Sequence, residues 1–80
     1  MTCEPLARPE KRSLTLQGHR TSVSLEPVFW EAFRALAARR GRSLDALAAE
    51  IDAARPPGVG LATAIRAHVL AAARAGEIPR

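Results

Sequence analysis

Apolar and polar residues alternate singly in two short stretches of this chain, then change to the three-and-four spacing of helices. Ser13-Leu14-Thr15-Leu16 alternates, Gln17-Gly18-His19 interrupts, and Arg20-Thr21-Ser22-Val23-Ser24-Leu25 alternates again. A period of two with β-branched residues predicts strand. In the second stretch, about residues 20–25, Thr21, Val23 and Leu25 share one face and Arg20, Ser22 and Ser24 the other. Two pairings satisfy the pattern. Residues 13–16 and 21–25 form a hairpin within one chain, with Gly18 in the turn, or residues 20–25 pair only with their mate in a second copy. His19, beside Gly18, reads as turn. Residues 1–10, with prolines, mixed charges and no periodicity, read as a flexible arm in which Cys3 is incidental.

Pro27 suits the first turn of a helix, where its missing N–H is not needed. Val28, Phe29, Ala32, Phe33, Leu36 and Ala37 follow at helical spacing and predict a helix over about 27–40. Trp30 falls toward the edge of that stripe, placed to cover a partner's surface. Gly41 predicts a left-handed stop, with Arg39 and Arg40 complementing the dipole. Ser43 is an N-cap, Asp45 suits a first turn, and Leu44, Leu47, Ala48 and Ile51 mark a second helix over about 43–54, ended by Pro56-Pro57-Gly58. Leu61, Ile65, Val69 and Ala72 share a face of a third helix, about 61–75, and residues 76–80 read as a tail. Glu50 and Asp52 oppose the dipole at the end of the second helix, and Asp52 has Arg55 or Arg66 as a partner. No internal repeat is evident. Alanine favours helix but buries little, so the aromatic residues and leucines carry most of the core.

At 80 residues there is room for one domain. A chain this short recovers stability through disulfides, a metal or oligomerisation. Its single cysteine and its two histidines, His19 and His68, supply neither disulfide nor metal site. Oligomerisation remains. No apolar run is long enough to span a membrane, and the lack of disulfides fits a reducing cytoplasm. The net charge of +4, from 12 basic and 8 acidic residues, leans toward nucleic acid. Richness in Arg and Ala also follows from a GC-rich genome, so the position of each charge matters more than the sum. No segment is a polybasic tail.

Strand, helix, short Gly turn and helix, in RTSVSLEPVFWEAFRALAARRGRSLDALAAEI over residues 20–51, resembles the ribbon-helix-helix family of bacterial repressors and antitoxins, the Arc and methionine-repressor class. The longer string SLTLQGHRTSVSLE…FW…LAAEIDAARP looks like a bacterial branch of it with an extra C-terminal helix. The resemblance covers residues 11–75 and implies a mainly α fold with a short β-ribbon. The βαα homodimer it implies is obligate and intertwined, each chain donating one strand, with Val23, Leu25, Trp30, Phe33, Leu36, Leu47 and Ile51 as its core. It implies that Arg20, Ser22 and Ser24 face outward into the major groove, where Arg reads guanine and serine discriminates weakly. It also implies that Arg42, Ser43 and Leu44, at the start of the second helix, hold a backbone phosphate, with Lys11 and Arg12 adding contacts from the arm.

The function these features predict is a sequence-preferring, duplex-DNA-binding transcription regulator. It would be a cytoplasmic, nucleoid-associated, homodimeric bacterial repressor without cofactor. The alternative is a protein-interaction or dimerisation module, or an antitoxin-like protein, that keeps the fold with little DNA binding and docks a partner on the third helix. A helix-turn-helix built from residues 27–54 has no use for the strands before it. No nucleophile elbow, phosphate loop or paired carboxylates point to an enzyme.

Overall fold

Gln17 and Gly18 decide how the ribbon forms. Both have positive φ, 51° and 85°, as in a type I′ turn, whose twist matches that of the strands on either side. The chain therefore pairs with itself. In a computed structural model, which describes residues 8–78, strand β1 (Glu10–Leu16) and strand β2 (His19–Leu25) form a two-stranded antiparallel sheet. Leu16 lies opposite His19 and Glu10 opposite Leu25. Of the two pairings that the alternation allows, the hairpin within one chain is the one observed. His19 opens β2 instead of sitting in the turn.

The segment read as an arm is cut short by β1, which begins at Glu10; residues 1–7, with Cys3, lie outside the described residues. Apolar alternation is lost before Leu14 because Arg12 takes an inward position. Its guanidinium lies 5.1 Å from the centre of the Trp30 ring and pairs with Glu10 at 2.8 Å. The indole Nε1–H of Trp30 in turn donates to the Glu10 carbonyl at 2.9 Å. Trp30 is fully buried rather than at an edge, because its own chain's β1 covers it.

Three helices support the ribbon: α1 (Pro27–Arg39), α2 (Leu44–Ala54) and α3 (Leu61–Arg74). Strand β1 lies mainly against α2, β2 lies against α3, and α3 packs on both other helices. Gly41, at φ 66°, ends α1 as the sequence suggests. The N–H of Gly41 reaches the Ala38 carbonyl and that of Arg42 the Ala37 carbonyl, a Schellman stop that turns the chain into α2. At the end of α2, Asp52 pairs with Arg55 at 2.7 Å, and Arg55 donates onward to the Val59 carbonyl in the loop that follows. Arg66, the other partner considered for Asp52, goes to Glu26 at 2.9 Å.

The core corrects the sequence reading. Val23, Leu25, Trp30, Phe33, Leu36, Leu47 and Ile51, assigned to a dimer core, are all buried within a single chain. They share one cluster with Leu14 and Leu16 of β1 and Ile65, Val69 and Ala72 of α3. The physical reason is that β1 and α3 stand where a second chain's strand and helix were expected, so no partner is needed to cover these side chains. Nor are residues 76–78 a free tail. The Gly76 and Glu77 N–H groups close α3 on the Ala73 and Ala72 carbonyls, Glu77 bonds Arg40, and Ile78 packs on the core. Residues 79–80 lie outside the described residues.

Two outcomes follow. Val23→Asp sets an unpaired charge beneath the ribbon, where Val23 is 3% exposed, and is expected to abolish the helical circular dichroism. The wild-type thermal midpoint is expected to stay constant over a hundredfold range of protein concentration; a rising midpoint would show a core completed by a second copy.

Candidate nucleic-acid interface

Alternation along two paired strands gives the ribbon a buried face and an outer face. The buried face holds Leu14, Leu16, Val23 and Leu25. The outer face is three cross-strand pairs: Lys11 with Ser24, Ser13 with Ser22, and Thr15 with Arg20. These six side chains are two cations and four hydroxyls, with no carboxylate among them. Ser24 is half-buried and the others are exposed. Because the opposite face is locked into the core, the outer one is presented on a rigid backbone.

The hydrogen-bond phase of the ladder has a consequence at its edges. Leu16 and His19 flank a two-residue turn and exchange hydrogen bonds, so the three outward pairs are the non-hydrogen-bonded ones. Their N–H and C=O groups point away from the partner strand. Two of these edge groups are taken by the helices: the Thr15 N–H donates to Asp45 Oδ1 at 3.1 Å, and the Ser24 carbonyl accepts from Arg66 at 3.3 Å. An open strand edge invites pairing with other chains, and these bonds blunt it on both sides.

Ion pairs sort the arginines. Among the described residues, Arg12 pairs with Glu10, Arg40 with Glu77, Arg42 with Glu50, Arg55 with Asp52 and Arg66 with Glu26. Neither Lys11 nor Arg20 of the ribbon appears in such a pair, and the same holds for Arg34, Arg39 and Arg74 on the helices. Arg12, expected to contact phosphate, is instead turned inward against Trp30. Lys11 is on the outer face of β1 itself, not in an arm.

At the start of α2, Ser43 is the N-cap. Its Oγ accepts from the Ala46 N–H at 3.0 Å, while the first N–H groups of the helix have no carbonyl one turn behind them. Leu44 is half-buried against the core. Arg42 is held by Glu50. A groove beside the tip of β1 is lined by Thr15, Gln17, Arg42, Asp45 and Glu50, so two carboxylates border the place where a phosphate was expected. Asp45, which suits the helix dipole, is also the acid that holds β1.

Sequence reasoning missed Ser13 and Thr15 as outer-face residues. The signal was present: with Leu14 and Leu16 inward, odd positions back to Lys11 must face out. It also missed the tie between Arg40, Glu77 and His68. Arg40 donates to both Glu77 carboxylate oxygens, at 3.0 and 2.9 Å, and its Nη1 lies 3.0 Å from His68 Nε2.

The family model described as a ribbon-helix-helix domain matches residues 9–73, which takes in both strands and almost all of the three helices. The chain belongs to the ribbon-helix-helix family. No curated protein and no solved structure matches it. Ribbon-helix-helix domains are in general DNA-binding modules of transcription regulators and antitoxins; they are typically non-enzymatic and bind DNA as dimers. Among the described residues no group of His, Cys, Asp and Glu is placed to hold a metal, and no helix is long and apolar enough to cross a membrane.

The ion pairs also set the acid response of this domain. The Arg66 side chain, hydrogen-bonded to Glu26, holds that carboxyl below its usual range, and Arg40 does the same to Glu77. Glu77 reciprocally raises Arg40. A carboxyl depressed in the folded state contributes stability above its unfolded pKa and loses it as pH falls through the folded one. The thermal midpoint is therefore expected to be level near neutrality and to fall as pH drops below the usual glutamate range. The double variant Glu26→Gln, Glu77→Gln should start lower and converge with wild type in acid; parallel curves would mean that these pairs do not tie the helices together.

Proposed function

We propose that this ribbon-helix-helix domain is a sequence-preferring regulator of transcription that lays the outer face of its hairpin in the major groove of duplex DNA. The observation that carries the reading is the outer face, in which Lys11 and Arg20 have no carboxylate partner among the described residues while arginines beneath and beside the ribbon are paired. A two-stranded ribbon fits the major groove. Arg20 donates in fork geometry to guanine O6 and N7, and Ser22 and Ser24 add hydrogen bonds of low discrimination. Arg42, Ser43 and Leu44 meet a backbone phosphate from the start of α2 once Arg42 exchanges Glu50 for the phosphate; Lys11 reaches the duplex from β1. The setting this implies is a repressor acting on the nucleoid in the bacterial cytoplasm. Self-association into a homodimer is general in the family; here it would set how many ribbons lie on the DNA, not whether a ribbon forms.

A second reading, a protein-interaction or antitoxin-like module, is favoured by one feature. Leu70 of α3 is 57% exposed, which leaves an apolar side chain on the third helix for a partner.

Anisotropy titrations over a range of salt separate the roles. Arg20→Ala is expected to cost about 1–3 kcal/mol on the preferred site and to flatten preference at one base position. Arg42→Ala should weaken binding to all sequences alike and lower the salt slope by about one unit. Glu50→Gln, which releases Arg42 and removes a negative charge beside it, should strengthen binding to every duplex. If the wild-type protein binds duplex DNA no better than a neutral control at low salt, the regulator reading fails and Leu70 becomes the place to seek a partner.

A further inference from the structure

A hollow of about 350 Å3 in the helical layer is bordered by the end of α2, the loop after it and α3, and by neither strand. Ala54, Ala64 and Ala67 are too small to fill the space between the two helices, and Ile51, Pro56 and Val59 complete an apolar lining. Three polar side chains join them, Arg55, Thr63 and His68, and among the described residues no carboxylate does. The hollows beside the ribbon's tip differ in this respect. Asp52 borders one of them, and Asp45 and Glu50 border the other. A mostly apolar concavity of this size with a few polar groups is the common form of a small-molecule site.

These polar groups are set in place by the protein itself. Arg55 gives its Nε–H to Asp52 at 2.7 Å and an Nη1–H to the Val59 carbonyl at 2.6 Å. Both bonds fix the guanidinium and leave its Nη2 donors without a partner among the described residues. Asp52 offsets the Arg55 charge, so what Arg55 offers an anion is directed N–H donors more than net charge. His68 Nε2 lies 3.0 Å from Nη1 of Arg40, which both Glu77 oxygens hold. Arginine has no acceptor, so Nε2 accepts there, and the proton of the neutral ring sits on Nδ1 as a donor.

We infer that this hollow binds a small amphiphilic anion, a monocarboxylate with an apolar body of about two fused rings and a hydroxyl at its far end. The carboxylate takes hydrogen bonds from Arg55 and Thr63, and the body lies on Ile51, Val59 and Ala64. His68 meets the far hydroxyl. Thr63 and His68 are about 7.5 Å apart along the axis of α3, which sets the length of the body. Asp45 of α2 holds β1 and Arg66 of α3 holds β2, so the occupant sits between the two helices that hold the ribbon's edges. The site stands whether or not the ribbon binds DNA.

The probe is a hydroxynaphthoate with hydroxyl and carboxylate on opposite rings, titrated into the full chain at neutral pH. Its uncharged amide and plain acetate are the comparisons. Saturable amide chemical-shift changes at Val59, Ala64 and His68 are expected, with a thermal midpoint that rises with probe concentration. The amide should bind about tenfold more weakly, and acetate should leave the spectrum unchanged. Ala67→Leu fills the hollow from an exposed helical position and should abolish binding with the circular dichroism unchanged. Ala73→Leu, on α3 outside the hollow, should bind as wild type does. Arg55→Gln should bring carboxylate and amide to like affinity. Equal binding of the two by wild type, full binding by Ala67→Leu, or no shifts at millimolar probe overturns the inference. So does a wild-type dimer that Ala67→Leu turns into a monomer in sedimentation, which would assign the hollow to a second copy.

Discussion

Leu14, Leu16, Val23 and Leu25 line one side of a two-stranded ribbon, and a hairpin of that size buries too little to persist alone in water. Covering that side is the constraint from which the remaining architecture follows. Phe33, Leu36, Leu47 and Ile65 come from three helices to meet it, and each is fully buried. Trp30 couples the helical layer to the ribbon twice, by filling the space beneath Arg12 and by donating its indole N–H to the carbonyl of Glu10. Without β1 the tryptophan has no cover, and without the tryptophan the start of β1 has no anchor.

Polar groups are distributed by the same logic. The carboxylates Asp45 and Glu26 sit where the helices meet the ribbon's edges or entry, the first on the Thr15 N–H, the second holding Arg66 near the Ser24 carbonyl. Glu77 reaches back from beyond α3 to Arg40 at the end of α1. The helical layer thus satisfies many of its cations internally, and the ribbon's outer face keeps two that it does not. Exposed ion pairs of this kind contribute little stability singly. Their larger effect is on where positive potential remains available to a polyanion.

Much of the fold was legible because periodicity reports burial directly. Leu44, Leu47, Ala48 and Ile51 can be read as one face of a helix with no knowledge of what covers it, and Gly41 announces its turn through a conformation that favours glycine. What covers a face is a different matter. Val23 and Leu25 alternate identically whether their cover is β1 of the same chain or a strand from another, so the dimer core was a conclusion about partners drawn from a pattern that is silent on them. Arg12 misled for a related reason. A long cationic side chain can lay its stem on an aromatic ring and keep its head in water, and an inward arginine looks like an interruption of the strand. Of the outer face, Arg20, Ser22 and Ser24 were visible. Lys11, Ser13 and Thr15 follow from the same alternation once Leu14 and Leu16 are set inward, and only their cross-strand partners needed the register.

Joining both strands of the ribbon through Gln17 and Gly18 also changes what a single mutation can do. Where two copies of one chain build a ribbon, a substitution alters both strands together, and any change of taste must be acceptable twice over. Here positions 11 and 20 are separate codons. Each strand of the face can be altered while the other is kept, so a lineage carrying this hairpin can change one side of the ribbon by single, individually tolerable steps.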